Sequence, residues 1–124
     1  MILGIGIDMI EVQRVEEKIM KENGFREHVF SKNEIIYCNA MKHQFQHYAA
    51  RFAAKEALLK AFGIGLQTNF ELNEIEIINN EAGKPIFNFI GNTGELILQK
   101  EITSIHVSLT HLKDVASAVV VIEK

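Results

Sequence analysis

The sequence holds a single cysteine, Cys38, so no disulfide can form within the chain. That fits a reducing compartment. No apolar run approaches the roughly 20 residues that cross a bilayer. The first residues also lack the cationic stretch of a secretory signal. The expectation is a cytoplasmic protein with no membrane partner. Nor is there an excess of basic residues. Lys and Arg number 13 against 16 Asp and Glu, a formal net charge of −3, which excludes nucleic-acid binding by bulk electrostatics. Proline occurs once, at Pro85, and there are no repeats, low-complexity stretches or linkers. What is present is 124 residues, 48% hydrophobic, expected to form one domain over residues 1–124 with one core. A domain this short leaves much of its surface exposed, so part of an active site could come from a second subunit.

The charges are unevenly spread. Lys42, Arg51, Lys55 and Lys60 stand against Glu56 alone, while Glu71, Glu74, Glu76 and Glu81 follow with no cation among them. One face can therefore hold an anion although the whole chain is acidic.

Residues 2–7 are apolar and β-branched and read as a strand ending at Asp8. The spacing of Val12, Val15, Ile19 and Met20 predicts a helix over 11–22, with Gly24 as its C-terminal cap. Ser31 and Glu34 form a capping box, with Phe30 and Ile35 at the staple positions. A longer helix is expected over 41–62, stopped by Gly63 and Gly65. Strands follow at 70–79 and 85–90 around a turn at 80–83, then a short helix over 95–101 and strands at 106–110 and 116–122. The order β-α-α-β-β-α-β-β gives an α+β class, with helices packed on one side of a mainly antiparallel sheet.

Four places could carry chemistry. Asp8, at the end of the first strand, is a hard oxygen ligand suited to Mg²⁺, or else a cap for the helix near Glu11. In Arg51 to Lys60, the spacing sets Phe52, Glu56 and Lys60 in one helical column, with Glu56 at the edge of an apolar stripe. It reads as a metal-bound carboxylate or as a Glu56–Lys60 surface pair worth ~0.3–0.5 kcal/mol. In His106 to His111, alternation sets His106, Ser108 and Thr110 on one face, with His111 at the strand end, a ligand contact or a surface residue. Gly83-Lys84 follows a turn whose backbone can approach a phosphate or simply connect strands. Gly4-x-Gly6 lacks the third glycine of a dinucleotide fingerprint. His43 and His47 have zinc spacing on a helix but no third ligand.

Taken together, these segments resemble the small 4'-phosphopantetheinyl transferases of the holo-acyl-carrier-protein synthase family. The likeness rests on Gly4 to Glu11 followed by Arg14, on Phe30-Ser31 with Glu34, and on Arg51 to Gly65. Gly83-Lys84-Pro85 and His106 to His111 complete it, all in order and over essentially the whole chain. The resemblance implies transfer of 4'-phosphopantetheine from coenzyme A to a serine of an acyl carrier protein, in support of fatty acid biosynthesis. It implies Mg²⁺ on Asp8 and Glu56, with Lys60 facing the coenzyme A phosphates. It places Arg51, Gly83, Lys84, Pro85 and His111 in or near the coenzyme A site. It implies a homotrimer with sites between subunits, where the segment at Lys42 contacts coenzyme A and His43 stands where an arginine is expected. Arg14, with Lys18, Lys21 and Arg26, would grip the acidic carrier protein. Either Glu56 or a water on the metal would take the serine proton. Two rival readings compete with this one. A nucleotide phosphohydrolase would yield product without a carrier protein, and a non-catalytic binding module would not need both Asp8 and Glu56.

Overall fold

Strand β1 (Ile2–Glu11) runs straight through Asp8 instead of stopping there, because β5 (Val115–Glu123) pairs with it as far as Val115. The computed structural model describes residues 1–64 and 69–124, so the expected helix stop at Gly65 lies outside the described residues. Helix α1 (Val12–Met20) follows β1 without a side-chain cap. Asp8 is therefore a mid-strand residue and does not cap that helix. Gly24 does not close α1 either. With φ of +95° it opens a short helix, α2 (Phe25–Val29), that the sequence pattern did not reveal.

Helix α3 (Lys32–Asn39) begins as expected. The Ser31 hydroxyl accepts the Glu34 N–H at 3.2 Å, and the Glu34 carboxylate accepts the Ser31 N–H at 3.0 Å. Helix α4 (Gln44–Phe62) is the central element, and it ends at Gly63 with φ of +74°. A 3₁₀ turn at Leu72–Glu74 takes up the start of the expected strand over 70–79, leaving β2 (Ile75–Asn79) paired with β3 (Pro85–Phe89). Helix α5 (Gly91–Leu98) starts four residues before the expected 95. Its N-terminus is fixed from outside, by the Glu74 carboxylate accepting the Thr93 N–H and hydroxyl. Strand β4 (Ser104–His111) closes a three-stranded antiparallel sheet in the order β1-β5-β4, and β2-β3 is a second, separate ladder.

Among the described residues the α+β architecture is thus five α-helices with two antiparallel sheets. Register fixes which side chains face α4. Gly4, Gly6, Asp8 and Ile10 pair with Ile122, Val120, Ala118 and Ala116, all on the inner face. On the helix side, Ala53, Ala54, Ala57, Leu58 and Ala61 are buried against Ala118, Val120 and Ile122. Small residues on both elements bring the helix backbone onto the strand. A Cβ on Gly4 or Gly6 would lie 1.8 Å from the carbonyl oxygen of Ala61 or Ala57 respectively.

The other side of α4 is pinned by a buried ion pair. Lys55 is fully buried and donates to the Glu34 carboxylate at 2.6 Å and to the Val29 and Leu72 carbonyl oxygens. Burial pushes the Lys55 ammonium below its ordinary range, and Glu34 opposes that shift. Glu34 also accepts the Ile77 N–H at 3.0 Å, so one carboxylate ties α3, α4 and β2 together. Glu76, one of the acidic run, is buried. Ser31, Asn33 and Asn88 donate to its oxygens.

Candidate active site

Asp8 and Glu56 are far apart in sequence but meet where β1 passes under α4. Asp8 projects from the inner face of β1, and its carboxylate accepts a hydrogen bond from the Lys60 ammonium at 3.0 Å. Lys60 also donates to the Ile7 carbonyl oxygen at 3.0 Å. The expected helical pair between Glu56 and Lys60 is thus replaced by a pair between Lys60 and Asp8. Glu56, one turn earlier on α4, is half-buried. Burial and then the charge of Asp8 raise its carboxyl above the ordinary carboxylate range, while Lys60 and Lys18 pull it back. Two carboxylates and two lysines therefore share one field. Lys18 belongs to it through its place on α1, with its ammonium 5.6 Å from the centre of the Phe25 ring.

Two carboxylates set close together, Asp8 and Glu56, are the donor chemistry of a cation site. Among the described residues, no three His, Cys, Asp or Glu side chains are grouped to hold a metal. Mg²⁺ is commonly held by one or two protein carboxylates, with waters and substrate phosphates completing its shell. Asp8 and Glu56 fit that requirement. A four-ligand zinc shell would not find its donors here.

The remaining expected residues fall into three places. Lys42 and His111 line a cavity of about 780 Å³ bounded by α1, the segment before α4 and the β4–β5 turn. The His111 ring lies 5.5 Å from that of His47, a neighbour that spacing along the chain does not reveal. Arg51 is only 3% exposed and stacks its guanidinium 4.3 Å over the Tyr37 ring, with Nε lacking any hydrogen-bond partner. Gly83, Lys84 and Pro85 lie at the tip of the β2–β3 hairpin. There the Asn80 side chain accepts the Ala82 and Lys84 N–H groups at 2.9 Å each, and Gly83 takes φ of +82°. No described hydrogen bond or ion pair links that turn to the Asp8 cluster. Arg14, Lys18 and Lys21 are exposed at helical spacing on one stripe of α1. Arg26 stands apart on α2, its guanidinium 5.8 Å from the Tyr48 ring. None of the described helices is long and apolar enough to cross a membrane.

Comparison with known proteins supplies the context for this geometry. The model of the 4'-phosphopantetheinyl transferase superfamily matches residues 4–120. A holo-[acyl-carrier-protein] synthase from Cytophaga hutchinsonii is 45% identical over 126 aligned positions, covering 100% of this chain and 99% of that protein. A crystal structure of a holo-(acyl-carrier-protein) synthase from Bacillus anthracis, in complex with CoA (3',5'-ADP), is 37% identical. It superposes with a TM-score of 0.81, covering 99% of this chain and 97% of that one. The enzyme of the same name from Neisseria meningitidis is 29% identical, with a TM-score of 0.91 and 100% of each chain covered.

Proposed function

This chain belongs to the 4'-phosphopantetheinyl transferase superfamily, among its holo-[acyl-carrier-protein] synthases, and from that premise we propose that Asp8, Glu56 and Lys60 carry its reaction. The reaction moves 4'-phosphopantetheine from coenzyme A to a serine of apo-acyl carrier protein and releases adenosine 3',5'-bisphosphate. The serine oxygen forms a bond to the β-phosphorus, the bond from that phosphorus to the bridging oxygen breaks, and the serine proton must leave. Asp8 and Glu56 hold Mg²⁺, which when bound supplies positive charge to the phosphoryl and leaving oxygens. Lys60, already held on Asp8 and the Ile7 carbonyl, adds a second positive charge beside the phosphates. We assign the serine proton to Glu56, the carboxylate of the cluster that is not paired with Lys60. The single observation that carries this reading is the meeting of Asp8, Glu56 and Lys60 at the α4–β1 crossing. Its test is mass spectrometry of an apo-carrier protein incubated with the chain, coenzyme A and Mg²⁺. One phosphopantetheine should appear on the serine. Release of adenosine 3',5'-bisphosphate without a carrier protein would point instead to a hydrolase.

We take residues 1–124 as one transferase domain, working in the cytoplasm and serving fatty acid biosynthesis. The proposed assembly is a homotrimer with the coenzyme A site between subunits, near Arg51, Lys42, His111 and the Gly83-Lys84-Pro85 turn. Support comes from the outer sheet face. Leu3, Ile5, Ile7 and Met9 all point away from α4 and are 52–69% exposed, beside Val119 of β5, with none of the described helices over them. A continuous apolar face of this kind marks a protein interface. Sedimentation should give a threefold oligomer, and Ile5→Asp with Ile7→Asp should give an inactive monomer. An active wild-type monomer at assay concentration would rule the assembly out.

The carrier protein would dock on the stripe of Arg14, Lys18 and Lys21, with Arg26 a separate helper on α2. Lys18 joins that stripe to Glu56, so a docked acidic partner would bring its serine toward the carboxylates. Steering between opposite charges weakens with salt. Arg14→Glu is expected to raise the KM for carrier protein about tenfold at low salt and leave the KM for coenzyme A unchanged. An equal rise in both would mean a structural defect, not a lost docking contact.

A further inference from the structure

Lys42, His43, His47, Arg51 and His111 gather between α3, the start of α4 and the end of β4. None of them is ion-paired with a carboxylate among the described residues, where the ion pairs are Lys55–Glu34, Lys60–Asp8 and His106–Glu123. The group is continuous. Arg51 stacks 4.3 Å over Tyr37, the Tyr37 ring is 5.9 Å from His47, and His47 is 5.5 Å from His111. His111 and His43 then open onto the cavity of about 780 Å³, joined there by Lys42 and Lys113. The carboxylates facing the same space are Glu16 of α1 and Asp114 of the β4–β5 turn. Buried Arg51 Nε, with no partner, adds one more donor that the fold leaves unused.

Like charges packed this way repel one another. Burial, then Arg51, His111 and His43, hold His47 below the ordinary imidazole range. A phosphate entering the cavity would reverse that balance, because an imidazolium beside an anion is stabilised. We propose that phosphate binding in this cavity is coupled to protonation of the His43, His47 and His111 cluster, so that the hold on the phosphates of coenzyme A tightens as pH falls. This rests on the transferase reading above. It adds a regulation that a site built from arginine and lysine alone would lack, since those side chains stay charged throughout.

The sign follows from linkage. If the bound state holds more protons than the free state, affinity must fall as pH rises. The ligand's own phosphates lose their second proton near pH ~6, so above neutrality they are dianionic and contribute little to the change. The experiment is calorimetry of the intact protein with adenosine 3',5'-bisphosphate between pH 7.0 and 8.5, in two buffers of different ionisation enthalpy. About half to one proton should be taken up per site, and binding should weaken about fivefold across that range. His47→Gln should lower the proton count, and His43→Arg, which fixes the charge, should keep the affinity at pH 8.5 and flatten its pH dependence. Tight binding by the wild-type chain with no proton uptake would overturn the coupling and leave the transferase reading standing. Uptake unchanged in a folded His47→Gln/His111→Gln variant would overturn it equally. No binding at any pH, together with no modified carrier protein by mass spectrometry, would remove both. The wild-type proton count needs no variant, so a variant that fails to fold does not spoil the test.

Discussion

Glu56→Gln should cut phosphopantetheine transfer about 100- to 1000-fold and yet raise the melting temperature of the metal-free chain above neutral pH. Both effects come from one arrangement. In the folded chain, burial and Asp8 raise the Glu56 carboxyl above its unfolded value. The folded state then binds more protons than the unfolded state between those two values, so stability falls as pH rises through that window. The neutral amide removes this penalty while keeping the side chain's shape. Its advantage should be largest at pH 7 to 8 in chelator and should vanish near pH 4, where the wild-type carboxyl is protonated. Added Mg²⁺ should raise the melting temperature of the wild-type chain and leave that of Glu56→Gln almost unmoved. Asp8→Ala should be as inactive but gain less stability, because it also removes the partner of Lys60 at 3.0 Å. Near-wild-type transfer by either variant at limiting Mg²⁺, or an equal Mg²⁺-induced shift in all three, would take the carboxylates out of the reaction.

Sites that are destabilising until filled are a recurrent cost of function. Here the cost is visible in the backbone plan. Lys55, the residue before Glu56, is buried on Glu34 and two carbonyl oxygens, and it faces away from the site. Adjacent helical positions are about 100° apart, so fixing Lys55 fixes the direction in which Glu56 points. Glu56 thus does not choose its own position. It is held beside Asp8 by a pair that belongs to the core.

Legibility in the sequence followed the range of the interactions. Local rules found α3, because Ser31, Glu34 and the staple lie within one turn. They also found the C-terminal end of α4, though not its start, which lies at Gln44 and not at 41, and the alternation of β4. They failed where a distant residue decides the local structure. The strand β1 was cut at Asp8 because nothing nearby shows that β5 pairs onward to Glu11. The start of α5 depends on the Glu74 carboxylate, nineteen positions before Thr93. Lys55 and Glu76 entered only as members of local charge runs, since their buried partners lie on other elements. The candidate site shows the same division. Spacing alone paired Glu56 with Lys60 on the helix surface, and only the resemblance joined Glu56 to Asp8. His47 was read only against His43 on its own helix, because its ring neighbour His111 lies on β4.

Gly6→Ala should add the methyl group that most disturbs the active site. Its Cβ would sit 1.8 Å from the Ala57 carbonyl oxygen and 2.8 Å from the Ala61 nitrogen. Both are backbone atoms of α4, so no side-chain rotation can make room, and the helix must lift from β1. Overpacking a filled core costs about 1–3 kcal/mol, and more where backbone must move. A loss of at least about 3 kcal/mol is expected, with the melting temperature lower by roughly ten degrees or more. Lifting α4 also carries Glu56 away from Asp8. A misplacement of about 1 Å can cost on the order of 100-fold in rate. Gly4→Ala provides the control. It meets α4 with the same 1.8 Å overlap, but at the Ala61 carbonyl, further along the helix from Glu56. Both variants should be destabilised to a similar degree. At low temperature, where both are folded by circular dichroism, Gly6→Ala should retain the larger deficit in kcat and the higher Mg²⁺ requirement. Equal kcat and equal Mg²⁺ midpoints in the two folded variants would show that the α4–β1 approach sets stability alone, and that something else brings the carboxylates together.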